Sequence, residues 1–273
     1  MVKYLHGELW SNSGGRSGLG NLTPFDGITN ARDLGGLATL GGLRTLSSVL
    51  YRSGALDRMS ERDRHRLVSE MRVGTVVDIR TREESDGDGL QDQRLLPEVR
   101  CVHVSVVPEG RIGREPFPDG RDPIALAEGY FVNLVEGAEA LAEIIGIIAG
   151  AVSVGESVLF HCAAGRDRTG LVAALLLGLV EVTDEHIISD YIASNSHALT
   201  IAERLRANPL YVAQSADGIK PVMLRNLTMI HFLGLVGDRF GGVDGWASRV
   251  GVSDEAVSGL RRSLVPGQAT QSP

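Results

Sequence analysis

The ten residues His161 to Gly170, HCAAGRDRTG, constrain this chain more than any other stretch, because they join two apolar runs of different period through a loop of small and charged residues. The run SVLFH at 157–161 is short, with β-branched and aromatic members, and predicts a buried strand aimed at Cys162. The run TGLVAALLLGLV at 169–180 is too long and too apolar for a strand and opens with a threonine in capping position, which predicts a buried helix. A strand, a tight loop and a helix start in that order predict a single α/β domain. Its sheet is short, mostly parallel and flanked by helices, with the loop at the C-terminal edge of a central strand.

A helix start presents unpaired backbone N–H groups and the positive end of the macrodipole, so a loop over 163–168 can wrap its amides around an anion such as phosphate. The same field favours a thiolate at Cys162, since cysteines at helix starts or beside cations titrate below the free value of about 8.5. Ala163, Ala164 and Gly165 are small enough to let the backbone approach bound oxygens. Arg168 brings a planar guanidinium that grips two of them, Arg166 adds positive charge at the rim, and Thr169 has a hydroxyl to donate to the sulfur. A core cysteine would need no arginine six residues on, no intervening glycine and no helix behind it. A rhodanese-type sulfur carrier or a phosphate-binding module without turnover would also hold a cysteine or an anion in such a loop; a Walker loop is excluded, because G-K-[ST] is absent.

The rest of the chain supplies elements around that loop. Residues 1–24 include the Gly- and Ser-rich SNSGGRSGLGN and read as a flexible extension, the domain as 25–265, and the residues after it as a polar tail. NARDLGG at 30–36 reads as a short strand and a tight turn, followed by a strand over 49–52. Ser60 with Asp63 caps a helix ending near Gly74. TVVDIR at 75–80 reads as a central strand with Asp78 and Arg80 at its end in structural roles, and 99–107 as another strand, where Cys101 and His103 lack the spacing of a zinc site. Residues 108–123 carry prolines, arginines and carboxylates without period and read as a loop over the site. Helical spacing covers 124–151 as one bent helix or two, then 183–191, 197–207, a helix from Pro221 and two short helices over 243–265, with a loop at 209–218.

Composition bounds the partners. Formal charge is −7 with a pI near 5.5 and 43% hydrophobic residues, which suits a globular core and argues against non-specific nucleic-acid binding or a polybasic membrane tether. Two cysteines, Cys101 and Cys162, make no disulfide framework, and a working thiol needs reducing surroundings. No apolar stretch reaches about 18 residues and no signal peptide is visible, so the expectation is a cytoplasmic protein, or one delivered to a host cytosol by another route.

The pattern C-x5-R-[ST]-G resembles the signature of cysteine-dependent tyrosine and dual-specificity phosphatases. With G-x-D-R-T-G and NARDLGG it is similar to the bacterial group typified by mycobacterial protein tyrosine phosphatase B, over roughly residues 25–265. That group usually has Lys where this chain has Arg166. The resemblance implies a helical lid, no metal or other cofactor, and a phosphorylated protein or phosphoinositide as substrate. It implies Cys162 as nucleophile, Arg168 as phosphate clamp and Asp167 as a carboxylate at the reacting centre. Arg32 and Asp33 come with it as members of structural ion pairs. A loop carboxylate often serves as general acid in such enzymes, which makes Glu109, Asp119 and Asp122 candidates beside Asp167.

Overall fold

The computed structural model describes residues 25–85, 91–107, 122–213 and 218–267. Glu109, Asp119 and the expected N-terminal extension lie outside these residues, as does most of the expected tail. The strands are β1 (Arg32–Asp33), β2 (Leu50–Ser53), β3 (Val73–Asp78), β4 (Arg100–His103) and β5 (Ser157–His161), in the spatial order β1-β2-β5-β3-β4. β5 is central, with β2 and β3 parallel to it and β4 parallel to β3; β1 alone runs antiparallel.

Period-two alternation decides what lies on each face of this sheet. Val158 and Phe160 of β5 and Val77 of β3 turn into a large helical core, whereas Leu159 and Val76 join a smaller cluster with Leu56, Leu67 and Leu96. The strand expected over 99–107 is limited to four residues because its partner β3 ends at Asp78, which pairs with His103.

On the smaller face, α1 (Glu61–His65) carries the expected capping box of Ser60 and Asp63, then widens into a π turn over Arg66–Glu70. The chain reverses at Arg72, where φ is +52°, so Gly74 lies in β3 and does not close the helix. A short α2 (Gln91–Leu95) precedes β4. The 124–151 stretch is two helices, α3 (Pro123–Glu136) and α4 (Ala138–Ser153). They break at Gly137, where an added Cβ would stand 2.5 Å from the Val106 carbonyl oxygen.

α5 (Asp167–Leu179) starts two residues before Thr169, so Arg166 occupies the N-cap position and Thr169 sits inside the first turn. All but a few of its side chains are buried, which accounts for the unbroken apolar run. Next come α6 (Asp184–Ala193), a 3₁₀ turn over Ser194–His197 and α7 (Ala198–Arg206). The expected loop after Pro209 holds a single helical turn, α8 (Pro209–Val212), because Asn208 caps it and Pro209 fits the first helical position. α9 (Asn226–Phe240) begins five residues later than Pro221 suggests. The Asn195 side chain takes both the N–H and the C=O of buried Leu224, at 2.7 and 3.0 Å, and so holds that segment extended. α10 (Val243–Val250) and α11 (Asp254–Leu264) complete the layer against α4, α5 and α9.

Candidate active site

Cys162 leaves the end of β5 and is buried, and its backbone N–H donates to Thr169 Oγ1 at 2.9 Å. The threonine hydroxyl thus accepts from the main chain, and its own proton remains available for another acceptor. The three carbonyls that follow all point outward. That of Ala163 accepts from the Ala55 N–H at 3.1 Å, that of Ala164 from Asn30 Nδ2 at 3.2 Å, and that of Gly165 from Asn30 Nδ2 and Arg52 Nη2, each at 2.8 Å. In a trans peptide the C=O and the next N–H point in opposite directions, so the amides of Ala164, Gly165 and Arg166 face the other way, into the loop. That is the donor array an anion requires, at the start of α5.

Gly165 makes this turn possible. Its φ is +64°, and a Cβ there would lie 2.4 Å from the Ser53 carbonyl at the end of β2. Arg52, from β2, is fully buried and needs an anion: Asp190 on α6 accepts from its Nη1 and, at 2.6 Å, from Arg32 Nε. Burial alone would raise the Asp190 pKa, but the Arg32 and Arg52 guanidiniums outweigh it and hold the carboxyl below its ordinary range. Arg32 therefore takes the structural ion pair expected of it. Asp33 joins no ion pair among the described residues; its carboxylate instead accepts the backbone N–H groups of Gly35 and Ser48 and shapes the turn after β1.

Arg168 is met end-on by Glu84, with Nη1 to Oε2 at 2.5 Å and Nη2 to Oε1 at 2.6 Å. This bidentate pair fixes the guanidinium plane and leaves the Nε–H edge without an acceptor among the described residues. Burial is the largest single influence on the Glu84 pKa and pushes it up, but the Arg168 charge and the hydrogen bonds from Arg168, Tyr211 and Thr81 together outweigh it and bring it down to about 2. Asp167, first residue of α5, receives the Tyr130 hydroxyl on Oδ1 at 2.6 Å and Arg166 Nε on Oδ2 at 3.0 Å. Arg166 is thus largely buried against its neighbour and does not stand free at the rim as the sequence suggests. Asp122, a candidate acid by sequence, is the N-cap of α3 and accepts the Ile124 N–H at 2.9 Å.

Behind the thiol, His161 Nε2 meets Asp92 Oδ2 at 2.5 Å and Nδ1 lies 3.3 Å from the Cys162 carbonyl. Burial opposes its protonation, but Asp92 and Asp78 together raise its pKa. Asp78, Asp92 and His161 are close enough to suggest a metal site, with ligand atoms within 4.8 Å. Arg80 already supplies the cation, with Nη2 at 2.7 Å from Asp78 and 3.5 Å from Asp92. Cys101 is half-buried, and burial followed by the Asp92 charge pushes its thiol up to about 12, unlike a nucleophile.

Residues 23–266 match the tyrosine phosphatase family. The chain belongs to that family. A protein of Cupriavidus necator named as a tyrosine-protein phosphatase is 38% identical over 176 residues, covering 63% of this chain and 62% of the relative. The triple specificity protein phosphatase PtpB of Mycobacterium tuberculosis is 28% identical over 128 residues, 42% of this chain and 46% of the relative. The aligned part thus spans less than two thirds of either relative's length. The solved structure of TpbA from P. aeruginosa superposes with a TM-score of 0.30 at 19% identity over 63% of this chain and 89% of that one, a likeness too slight to carry an argument.

Membership of the tyrosine phosphatase family accords with Cys162 and the residues up to Thr169 standing together. The supports came from elsewhere in the sequence and had no local signal. Glu84, Asp92 and Tyr130 lie 84, 69 and 37 residues from Arg168, His161 and Asp167, Asp190 lies 138 residues from Arg52, and all four sit in unremarkable segments. Only pairing of β2 and β3 with β5, and the packing of α3 and α6 on α5, brings them in.

Proposed function

We propose that this chain is a phosphomonoester hydrolase acting on phosphotyrosine through a cysteinyl-phosphate intermediate, with phosphoserine, phosphothreonine and phosphoinositides as further substrates. The observation that carries the reading is the outward tie of three consecutive carbonyls by Ala55, Asn30 and Arg52, which turns the amides inward around a position next to Cys162. The Cys162 thiolate attacks phosphorus, the P–O bond to the leaving group breaks, and the amides with the Nε edge of Arg168 hold the equatorial oxygens. Water then attacks phosphorus, the P–S bond breaks and phosphate departs with the thiolate regenerated.

The leaving oxygen needs a proton. Asp167 is the candidate carboxylate at the loop among the described residues, while Glu109 is the reserve. Both Asp167 oxygens accept hydrogen bonds, and the longer of the two is to Arg166. A phosphoryl group competing for Arg166 would free Oδ2 to take up a proton and pass it on. Such a thiolate works in reducing surroundings, which supports a cytosol as the site of action. No helix among the described residues is long and apolar enough to cross a membrane.

The test is phosphate release from phosphotyrosine, phosphoserine and phosphothreonine peptides and from phosphoinositides. Turnover of the phosphotyrosine peptide that is lost in Cys162→Ser supports the reading, and a serine variant as active as the parent would sink it.

A further inference from the structure

α8 is one helical turn with no fully buried side chain, only Leu210 and Tyr211 being half-buried, so apolar packing holds it weakly on the domain. Its neighbour α7 is moored through Arg204, whose Nη1 donates to the Gly27 carbonyl at 3.0 Å, and whose Nη2 donates to the Ala55 carbonyl at 2.6 Å and to Asp57. From α8 itself the Tyr211 hydroxyl donates to Glu84 Oε1. That oxygen is also the one that holds Arg168 Nη2. The other oxygen, Oε2, takes Arg168 Nη1 and the Thr81 N–H, the latter at 2.8 Å.

Two fixed points orient a carboxylate plane. Thr81, in the turn after β3, fixes Oε2, and Tyr211 is the neutral donor that fixes Oε1. With Tyr211 removed, only the arginine to be positioned would hold Oε1. We propose that Tyr211 is a positioning residue for the phosphate clamp: its hydroxyl, seated on Glu84, couples the docking of α8 to the alignment of Arg168. The proposal rests on the reading of Arg168 as an oxyanion clamp. Burial and the Glu84 charge raise the Tyr211 pKa, which keeps the hydroxyl a donor across the working range. A cleft lined by Ala55, Ala163, Arg204, Asn208 and Tyr211 separates α8 from the loop after β2, so closure of this turn is not enforced by packing on that side. Docking of α8 and setting of the clamp then become one event.

The experiment measures inorganic phosphate affinity by calorimetry, with kcat and KM on a phosphotyrosine peptide, for the full chain, Tyr211→Phe, Glu84→Gln and the double variant. A hydrogen bond to a charged group is strong enough that Tyr211→Phe should weaken phosphate binding roughly tenfold and lower kcat/KM by a similar factor. The double variant should lose no more than Glu84→Gln alone, because the tyrosine acts through the glutamate. Tyr211→Phe binding phosphate as tightly as the parent, or losses that multiply in the double variant, would overturn the coupling. A parent chain that binds phosphate but turns over no phosphomonoester would overturn the hydrolase reading instead, with the coupling still read from phosphate affinity.

Discussion

Cys162 and Arg168 do different kinds of work, and each is tested by a substitution that preserves one property. Cys162→Ser keeps a side chain of similar size but replaces a thiol with a hydroxyl, an intrinsically much weaker acid and nucleophile near neutrality. Turnover should vanish while phosphate affinity, read by calorimetry, stays within a few-fold. Arg168→Lys keeps the charge but not the fork, so it can satisfy neither the end-on pair with Glu84 nor two phosphate oxygens at once. Loss of activity with a folded protein is expected, and near-parental kcat/KM would remove Arg168 from the clamp. Asp167→Asn should cost roughly the 10²–10⁴-fold of general acid catalysis on a phosphotyrosine peptide and much less on a nitrophenyl ester, whose leaving group needs no proton. Glu109→Gln should be mild on both substrates. The opposite ranking would transfer the proton to Glu109 and leave Asp167 as a brace between Tyr130 and Arg166.

At the level of elements, the loop keeps its shape because β2 and α6 hold it. Asp190 sends charge from α6 to Arg32 on β1 and Arg52 on β2, and Arg52 reaches the Gly165 carbonyl. Asp190→Ala leaves two arginines buried without an anion and should destabilise the fold by about 3–5 kcal/mol, measured by denaturant unfolding. A loss below about 1 kcal/mol would show that the arginines find other partners. Gly165→Ala acts at the same junction. Its Cβ would overlap the Ser53 carbonyl at 2.4 Å in a backbone conformation with φ +64°, so either β2 or the loop must move. Phosphate binding should fall at least tenfold together with a lower Tm, and a variant with parental affinity would show that the loop tolerates a different path.

Across the whole molecule, two buried ion pairs flank the site and titrate in opposite senses. Glu84 has its pKa lowered to about 2, so its contribution to stability is complete above the ordinary glutamate range and is lost as pH falls toward 2. His161 has a raised pKa, so its contribution is complete below about 6.5, the ordinary histidine value, and is lost as pH rises through the folded value. Both are at full strength between roughly pH 4.5 and 6.5. Tm measured against pH should therefore fall on both sides of that window, with Glu84→Gln flattening the acid limb and Asp92→Asn the alkaline one. If the two variants exchanged limbs, the assignment of charge in these pairs would be wrong.

Periodicity and loop chemistry were enough to determine the strand at 157–161, the cysteine loop, the buried helix behind it and the α/β class, because each depends on neighbours within a few residues. The local signals were weaker where tertiary contacts set the limits: β4 stops where β3 stops, α9 waits for Asn195 to release Leu224, and α8 forms where only a loop was expected. The orientation of the loop carbonyls, the anchoring of Arg168 by Glu84 and the burial of Arg52 on Asp190 were decided by tertiary structure alone. Each joins residues more than 80 positions apart, and a sequence carries no sign of such a pairing until the sheet order places β2 and β3 on either side of β5.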